Sequence, residues 1–265
     1  MILFTLGKVM SSKEKKILGV IPARYDSSRL PGKPLADILG KTMIRRVYER
    51  ASRSNMLDSL IVATDDKRIY DEVVSFGGEC VLTRNGHTSG TSRLCEVMSK
   101  LPEYDFYINI QGDQPFIAKE TVDEICTATL SMKGDSSVMT LVAELKEDEE
   151  DDISIPKVVV KKDGEAIYFS RFPIPFNTSL GKFDSSIYLK HLGVYGFTKK
   201  SLEKIKNFEV SYLEEAESLE QLTWIYEGIS IYTKKGSDKN KISVDTKLDL
   251  EIAIEIAEKE NDQQG

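Results

Sequence analysis

The strongest constraint on this chain is an alternation of short apolar runs with segments of helical period. Ile17-Leu18-Gly19-Val20-Ile21, Leu60-Ile61-Val62-Ala63, Cys80-Val81-Leu82 and Phe106-Tyr107-Ile108-Asn109-Ile110 have the length of buried strands. Between them Met43, Ile44, Val47 and Ala51, then Ile69, Val73 and Phe76, then the stretch from Leu94 to Met98 recur at helical spacing. Strands that are apolar on both faces need cover on both sides. Repeated strand–helix units therefore predict an α/β fold with a mostly parallel sheet and helices on both faces. Thr64 or Asp65 is placed to cap the second helix, and Gly77-Gly78 ends it.

The pattern changes after about residue 135. Val138–Leu145 and Tyr188–Phe197 read as strands, and Val158–Val160 and Ala166–Phe169 flank the hairpin signal Lys162-Asp163-Gly164. This predicts an inserted antiparallel lobe at about 138–210. Lys146–Asp152 reads as a solvated acidic loop. Leu213–Tyr226 reads as one helix opened by Ser211, Ile229–Thr233 as a strand, and Leu248–Ile256 as the closing helix. The reading is one α/β domain over 17–265, preceded by a tail over 1–16 in which Met10 offers a second start.

A 265-residue chain with a net charge of −7 has no general basic face for nucleic acid. No apolar run approaches the length of a membrane span. Cys80, Cys95 and Cys126 form no Cys-x-x-Cys pair and suit reduced, packed thiols, so the cytoplasm is the expected compartment.

Against that acidic background, the loop after the first strand stands out: Pro22-Ala23-Arg24-Tyr25-Asp26-Ser27-Ser28-Arg29-Leu30-Pro31-Gly32-Lys33-Pro34. It carries three cations beside backbone N–H groups where an α/β sheet binds ligands, which suits a polyphosphate. Neither the Walker spacing nor Gly-x-Gly-x-x-Gly is present. Gln111-Gly112-Asp113-Gln114-Pro115 follows the fourth strand, and Asp245 precedes the last helix. Turn and cap roles explain each alone, but two hard oxygen donors near a polyphosphate loop make a magnesium site. The Ser89-Gly90-Thr91 loop with Arg93 opens a helix and offers hydroxyls, close backbone approach and a cation. The two histidines, His87 and His191, have no partner at zinc-ligand spacing. Arg171, His191 and Tyr195 are polar groups in otherwise apolar strands, suited to a carboxylated, hydroxyl-rich molecule.

Taken together these motifs resemble the 3-deoxy-manno-octulosonate cytidylyltransferases. The resemblance rests on Ile21-Pro22-Ala23-Arg24, Ser28-Arg29-Leu30-Pro31-Gly32-Lys33-Pro34, Ala63-Thr64-Asp65-Asp66, Ser89-Gly90-Thr91, Gln111-Gly112-Asp113, Tyr168-Phe169-Ser170-Arg171, Ile174-Pro175, Lys190-His191-Leu192-Gly193-Val194-Tyr195, Leu219-Glu220-Gln221-Leu222 and Val244-Asp245-Thr246. It implies a nucleotide-diphosphosugar-transferase type of fold with an antiparallel dimerisation lobe, CTP and a 3-deoxy-ulosonic acid as substrates, magnesium and a homodimer. Arg24 and Lys33 would grip the triphosphate, with Pro22, Ala23, Arg29, Ser89, Gly90, Thr91, Arg93 and Gln111 around the nucleotide. Asp113 and Asp245 would bind magnesium. Gln111, Arg171, His191, Tyr195, Glu220 and Gln221 would surround the sugar acid. Ser92, Thr223 and Gln114 depart from the family pattern of an acidic residue, arginine and glutamate. The alternatives are a related acid such as an 8-amino form, or a non-catalytic nucleotide-sugar binder.

Overall fold

The computed structural model describes residues 15–27, 29–132, 134–178, 184–240 and 242–262, with side chains described to residue 260. Residues 1–14 of the expected tail and Ser28 of the cationic loop lie outside the described residues. Lys16 is anchored: its carbonyl accepts from the Asp105 and Phe106 amides at 2.9 and 3.1 Å.

The strands are β1 (Ile17–Ala23), the short pair β2 (Asp37–Ile38) and β3 (Lys41–Thr42), β4 (Ser59–Thr64), β5 (Glu79–Leu82), β6 (Phe106–Asn109), β7 (Val138–Glu144), β8 (Lys157–Val160), β9 (Ala166–Ser170), β10 (Leu189–Thr198) and β11 (Ile231–Lys235). The helices are α1 (Met43–Ala51), α2 (Lys67–Ser75), α3 (Gly90–Lys100), α4 (Lys119–Leu130), α5 (Lys199–Ile205), α6 (Tyr212–Glu217), α7 (Gln221–Tyr226) and α8 (Lys247–Asp262).

The main sheet runs β11-β7-β10-β6-β1-β4-β5. β1 pairs parallel with β4 and β6, β4 with β5, and β7 with β11. β10 runs against β6 and β7. The segment around 138–210 thus contributes β7 and β10 to this sheet, and the β8–β9 hairpin pairs with the start of β10. The expected mostly parallel sheet is borne out. One apolar core packs α1, α2 and α4 on one face, and a second packs α3, α5 and α7 on the other. Burying both faces accounts for the continuous apolar runs of β1, β4 and β6, whereas β5, expected as a buried strand, lies at the sheet edge with Leu82 exposed.

From β1 the chain builds β4 and β5 on one side, then returns to place β6 on the other. The crevice at the carboxyl ends of β1 and β6 is therefore the switch point of the sheet, where open α/β sheets hold ligands. Because β10 is reversed, its last four residues pair with β6, and Tyr195 lies opposite Asn109 at the end of β6.

Three local expectations change. The N-cap of α2 is Asp66, whose carboxylate accepts from the Arg68 amide, not Thr64 or Asp65. The acidic run is not simply solvated: Glu149 grips Lys190, which is 5% exposed, at 2.6 Å, and Asp238 closes on the same ammonium at 2.6 Å. The helix expected over 213–226 is two helices. Ser218 takes a left-handed conformation (φ 52°), and the chain turns before Glu220 and Gln221. Ser211 does cap the first of them.

Candidate active site

The cationic loop, the start of α3 and the end of β6 enclose a cavity of about 360 Å³. Pro22, Ala23, Arg24, Arg29 and Lys33 line it from the first loop, Ser89, Gly90 and Arg93 from α3, and Gln111 and Asp113 from the loop after β6. Asp245 closes it from the loop before α8. The loops approach so closely that a Cβ on Gly112 would lie 2.8 Å from the Pro22 carbonyl oxygen, so this position needs glycine. The Val244 amide donates to the Asp113 carbonyl at 2.8 Å, tying the two aspartate loops together. At the start of α8, Thr246 Oγ1 and the Asp249 carboxylate satisfy each other's backbone amides. Asp245 is thereby left out of the cap and faces the cavity.

Lys33 Nζ lies 3.0 Å from Asp113 Oδ2 and 3.0 Å from Asp245 Oδ1, and Arg29 reaches Asp245 at 3.1 Å. Burial pushes the Lys33 ammonium toward losing its proton, but the two carboxylates outweigh burial and hold it above its ordinary range. Arg24 is exposed, and no ion pair engages it among the described residues. Arg93 is different: its guanidinium is 3% exposed, pairs with Asp65 at 3.2 Å and donates to Thr83 Oγ1. Asp65, expected as a helix cap, instead aims this arginine.

A second cavity, about 780 Å³, adjoins the first and shares Arg29, Gln111, Asp113 and Asp245 with it. His191, Tyr195, Glu220 and Gln221 line its far side. The register of β10 shifts between His191 and Tyr195, where Gly193 has φ +73°. Gln111 Nε2 donates to the Gly193 carbonyl at 3.0 Å and locks that bulge to the β6 loop. The His191 and Tyr195 rings lie 5.0 Å apart. Thr140 Oγ1 gives its proton to the Val194 carbonyl, so His191 Nε2 donates to Thr140 Oγ1 at 2.8 Å and Nδ1 is left as an acceptor. Burial lowers the His191 imidazole to about 3 and keeps it neutral. Burial also raises the Glu220 carboxyl, which accepts from Thr91 Oγ1 at 2.9 Å. Thr91 itself is 1% exposed and sits behind the lining. Gln221 Nε2 is buried without a hydrogen-bond partner among the described residues.

These two joined cavities carry all the expected site residues except Thr91 and Arg171. The cytidylyltransferase family profile matches residues 18–234. A Fusobacterium nucleatum 3-deoxy-manno-octulosonate cytidylyltransferase is 45% identical over 249 residues, covering 93% of this chain and 98% of the relative. The chain belongs to the 3-deoxy-manno-octulosonate cytidylyltransferase family. An Escherichia coli member is 46% identical over 220 residues, covering 82% of this chain and 87% of its own. A solved CMP:2-keto-3-deoxy-manno-octonic acid synthetase complexed with CTP superposes with a TM-score of 0.85 at 43% identity, over 93% of this chain and all of the other.

Two residues where this cytidylyltransferase departs from the family pattern do not line either cavity. Ser92 is the third residue of α3, where its hydroxyl takes the place of an acid in the capping box: it accepts from the Ser89 amide at 3.3 Å. Thr223 accepts from the Ser211 amide at 2.9 Å and so ties α7 to the start of α6. Gln114 does line the second cavity. Arg171, expected beside the sugar, lies outside both linings. Its guanidinium donates to the carbonyls of Glu217 at 2.7 Å, Ile153 at 2.8 Å and Ser218 at 3.1 Å, so it fastens the break that presents Glu220 and Gln221. Sequence reading gave Asp65 only a capping role and Lys190 none of its own, because each acts through a long-range partner.

Proposed function

We infer that this chain transfers CMP from CTP to the anomeric hydroxyl of 3-deoxy-manno-octulosonate, giving CMP-Kdo and pyrophosphate. The observation that carries the reading is the junction: Gln111, Asp113 and Asp245 belong to both cavities, so a phosphate chain in one and a sugar in the other would meet at the two carboxylates. Arg24, Arg29 and Lys33 would hold the triphosphate with its α-phosphorus at that junction. The sugar oxygen forms a bond to the α-phosphorus, giving up its proton, as the bond to the bridging oxygen breaks and pyrophosphate leaves with the electron pair. Arg24 and Lys33 offset the charge that develops on the leaving group. Positioning across the junction accounts for much of the acceleration.

Asp113 and Asp245 would hold magnesium. The donor set fits: two hard carboxylates already converge on one cationic atom, Lys33 Nζ. No cluster of three or more acidic, histidine or cysteine ligands occurs among the described residues, as befits an ion that takes its other ligands from phosphate and water. When bound, magnesium supplies polarisation of the α-phosphate and a lower cost for deprotonating the attacking hydroxyl. In the second cavity, the His191 Nδ1 acceptor suits a sugar hydroxyl, and Gln221 Nε2 offers a donor.

We further propose a cytoplasmic enzyme that supplies activated sugar for cell-surface lipopolysaccharide and works as a homodimer. No helix among the described residues is long and apolar enough to cross a membrane. The exposed Phe172 and Phe176 after β9 support pairing of two copies. Pyrophosphate release with CTP, magnesium and Kdo, with 8-amino-Kdo and other nucleoside triphosphates in parallel, tests the reading. Turnover with CTP and Kdo supports it; CTP binding without turnover of any sugar acid would replace it with a binder.

A further inference from the structure

We infer that Lys190 is a specificity-determining residue for the sugar acid: by drawing the Glu149 and Asp238 carboxylates together it builds the outer end wall of the second cavity, which accepts the hydroxylated tail of the sugar and limits its length. The inference rests on the assignment of that cavity to the sugar acid.

Position along β10 gives the direction. Gln111, at the junction of the two cavities, donates to the Gly193 carbonyl at 3.0 Å. Lys190 lies three residues nearer the start of β10 than Gly193, about 10 Å farther along an extended strand. There β10 no longer pairs with β6, and Lys190 sits opposite Ala143 of β7 and Lys157 of β8. Lys190, Glu149 and Asp238 all line the second cavity. The end that they form is thus the one away from Asp113 and Asp245, where the anomeric carbon must lie to meet the α-phosphorus. The terminal carbon of the tail is more bonds from the anomeric carbon than any ring carbon is, so the tail is the part that reaches this wall.

Three segments meet there. Glu149 comes from the acidic run after β7 and Asp238 from the chain after β11. The Lys190 ammonium lies 2.6 and 2.7 Å from the two Glu149 oxygens and 2.6 Å from Asp238 Oδ2. Burial disfavours the ammonium, but its hydrogen bonds to Asp238 and Glu149 outweigh burial and hold it above its ordinary range. An ammonium has three protons, and these three oxygens take all of them. Lys190 therefore has none left for the carboxylate of the substrate. The wall instead offers the remaining lone pairs of Glu149 and Asp238, which take hydrogen bonds from hydroxyls and repel an anion. The sugar acid enters tail first, with its carboxylate toward Arg29, the other cation of that lining among the described residues.

The same wall is a partition. Asp238 also lines a third cavity, of about 560 Å³, together with Lys146, which reaches Asp238 at 3.5 Å. Shortening the wall would extend the second cavity toward the third and admit a longer tail.

Lys190→Met leaves two carboxylates facing each other without their cation, which should open the wall and raise KM for Kdo about 10-fold, with KM for CTP within about twofold. Lys190→Arg keeps the charge and should stay within about threefold of the unaltered enzyme. Glu149→Ala should raise kcat/KM for a nine-carbon 3-deoxy-ulosonic acid, relative to that for Kdo, about 10-fold, as expected where a pocket wall sets chain length. A merely structural role would lower both acids alike. An unchanged KM for Kdo in Lys190→Met, equal rises for Kdo and CTP, or an unchanged ratio between the two acids in Glu149→Ala overturns the inference. If Lys190→Met does not fold, the ratio in Glu149→Ala decides. Failure of the unaltered enzyme to turn over CTP with Kdo would instead refute the assigned function.

Discussion

The two cavities meet at the same carboxylates but are built differently. The first is lined by charge: Arg24 is open to solvent, and Lys33 and Arg29 are paired across its mouth with Asp113 and Asp245. The second presents groups that burial keeps neutral or pushes toward neutrality, with His191 lowered to about 3 and Tyr195 and Glu220 raised. A triphosphate is selected by charge, for which exposed cations suffice. A sugar is selected by the direction of each hydroxyl, which requires donors and acceptors fixed in a dry wall. Substitutions in the first cavity should thus act on CTP, and those in the second on the sugar acid.

The largest effect is expected at the junction, where the contrast disappears. Asp113→Asn should lower kcat about 10³-fold, or about 4 kcal/mol of barrier. Its circular dichroism should be unchanged. Near-normal turnover would remove Asp113 from the chemistry. Next comes Lys33→Ala, which should raise KM for CTP about 10- to 100-fold with KM for the sugar acid little altered. Equal rises in both constants would erase the division of labour between the cavities. Arg171→Ala should do the converse, raising KM for the sugar acid about fivefold by releasing the Glu217 and Ser218 carbonyls of the α6–α7 break and the Ile153 carbonyl of the loop before β8, with CTP unaffected. Arg171→Lys should not rescue it, because one ammonium cannot match the guanidinium fork. An effect on CTP alone would show that Arg171 supports the first cavity and not the second.

The smallest effect near neutrality concerns acid stability. A buried imidazole whose folded value is depressed to about 3 stays neutral while the unfolded chain takes up a proton below about 6.5. Stability is therefore complete above pH 6.5 and is lost progressively as the pH falls toward 3. Urea midpoints measured at pH 7, 5.5 and 4 should decline less steeply in His191→Asn than in the unaltered protein. Parallel slopes would show that His191 is not the group responsible.

Much of the sheet was legible because its strands are buried on both faces, and a continuous apolar run between helical patterns leaves few other arrangements. α4 was not legible. Its buried face includes Thr121, Val122, Ile125 and Thr129, β-branched residues with weak helical preference, and packing under the sheet overrides that preference. The break before Glu220 was hidden for the opposite reason. Leu213–Tyr226 has a continuous helical composition, and what interrupts it is the Arg171 guanidinium on the Glu217 and Ser218 carbonyls, 46 and 47 residues away in sequence.

The amino-acid sequence by itself determined the class of sheet, the cationic loop at its switch point and the identity of most groups in the two cavities, because period, glycine placement and charge are local properties. Tertiary structure decided which groups reach those cavities. Lys33 stands between two aspartates because the loops after β6 and before α8 are tied together, Arg93 is aimed by Asp65, and Arg171 is spent on backbone carbonyls. Ser92 and Thr223 turned out to be a cap and a brace. Apart from the Ser92 cap, whose partner Ser89 is three residues away, each of these roles depends on a hydrogen bond or ion pair whose partner is chosen by folding, and a linear pattern carries no record of that choice.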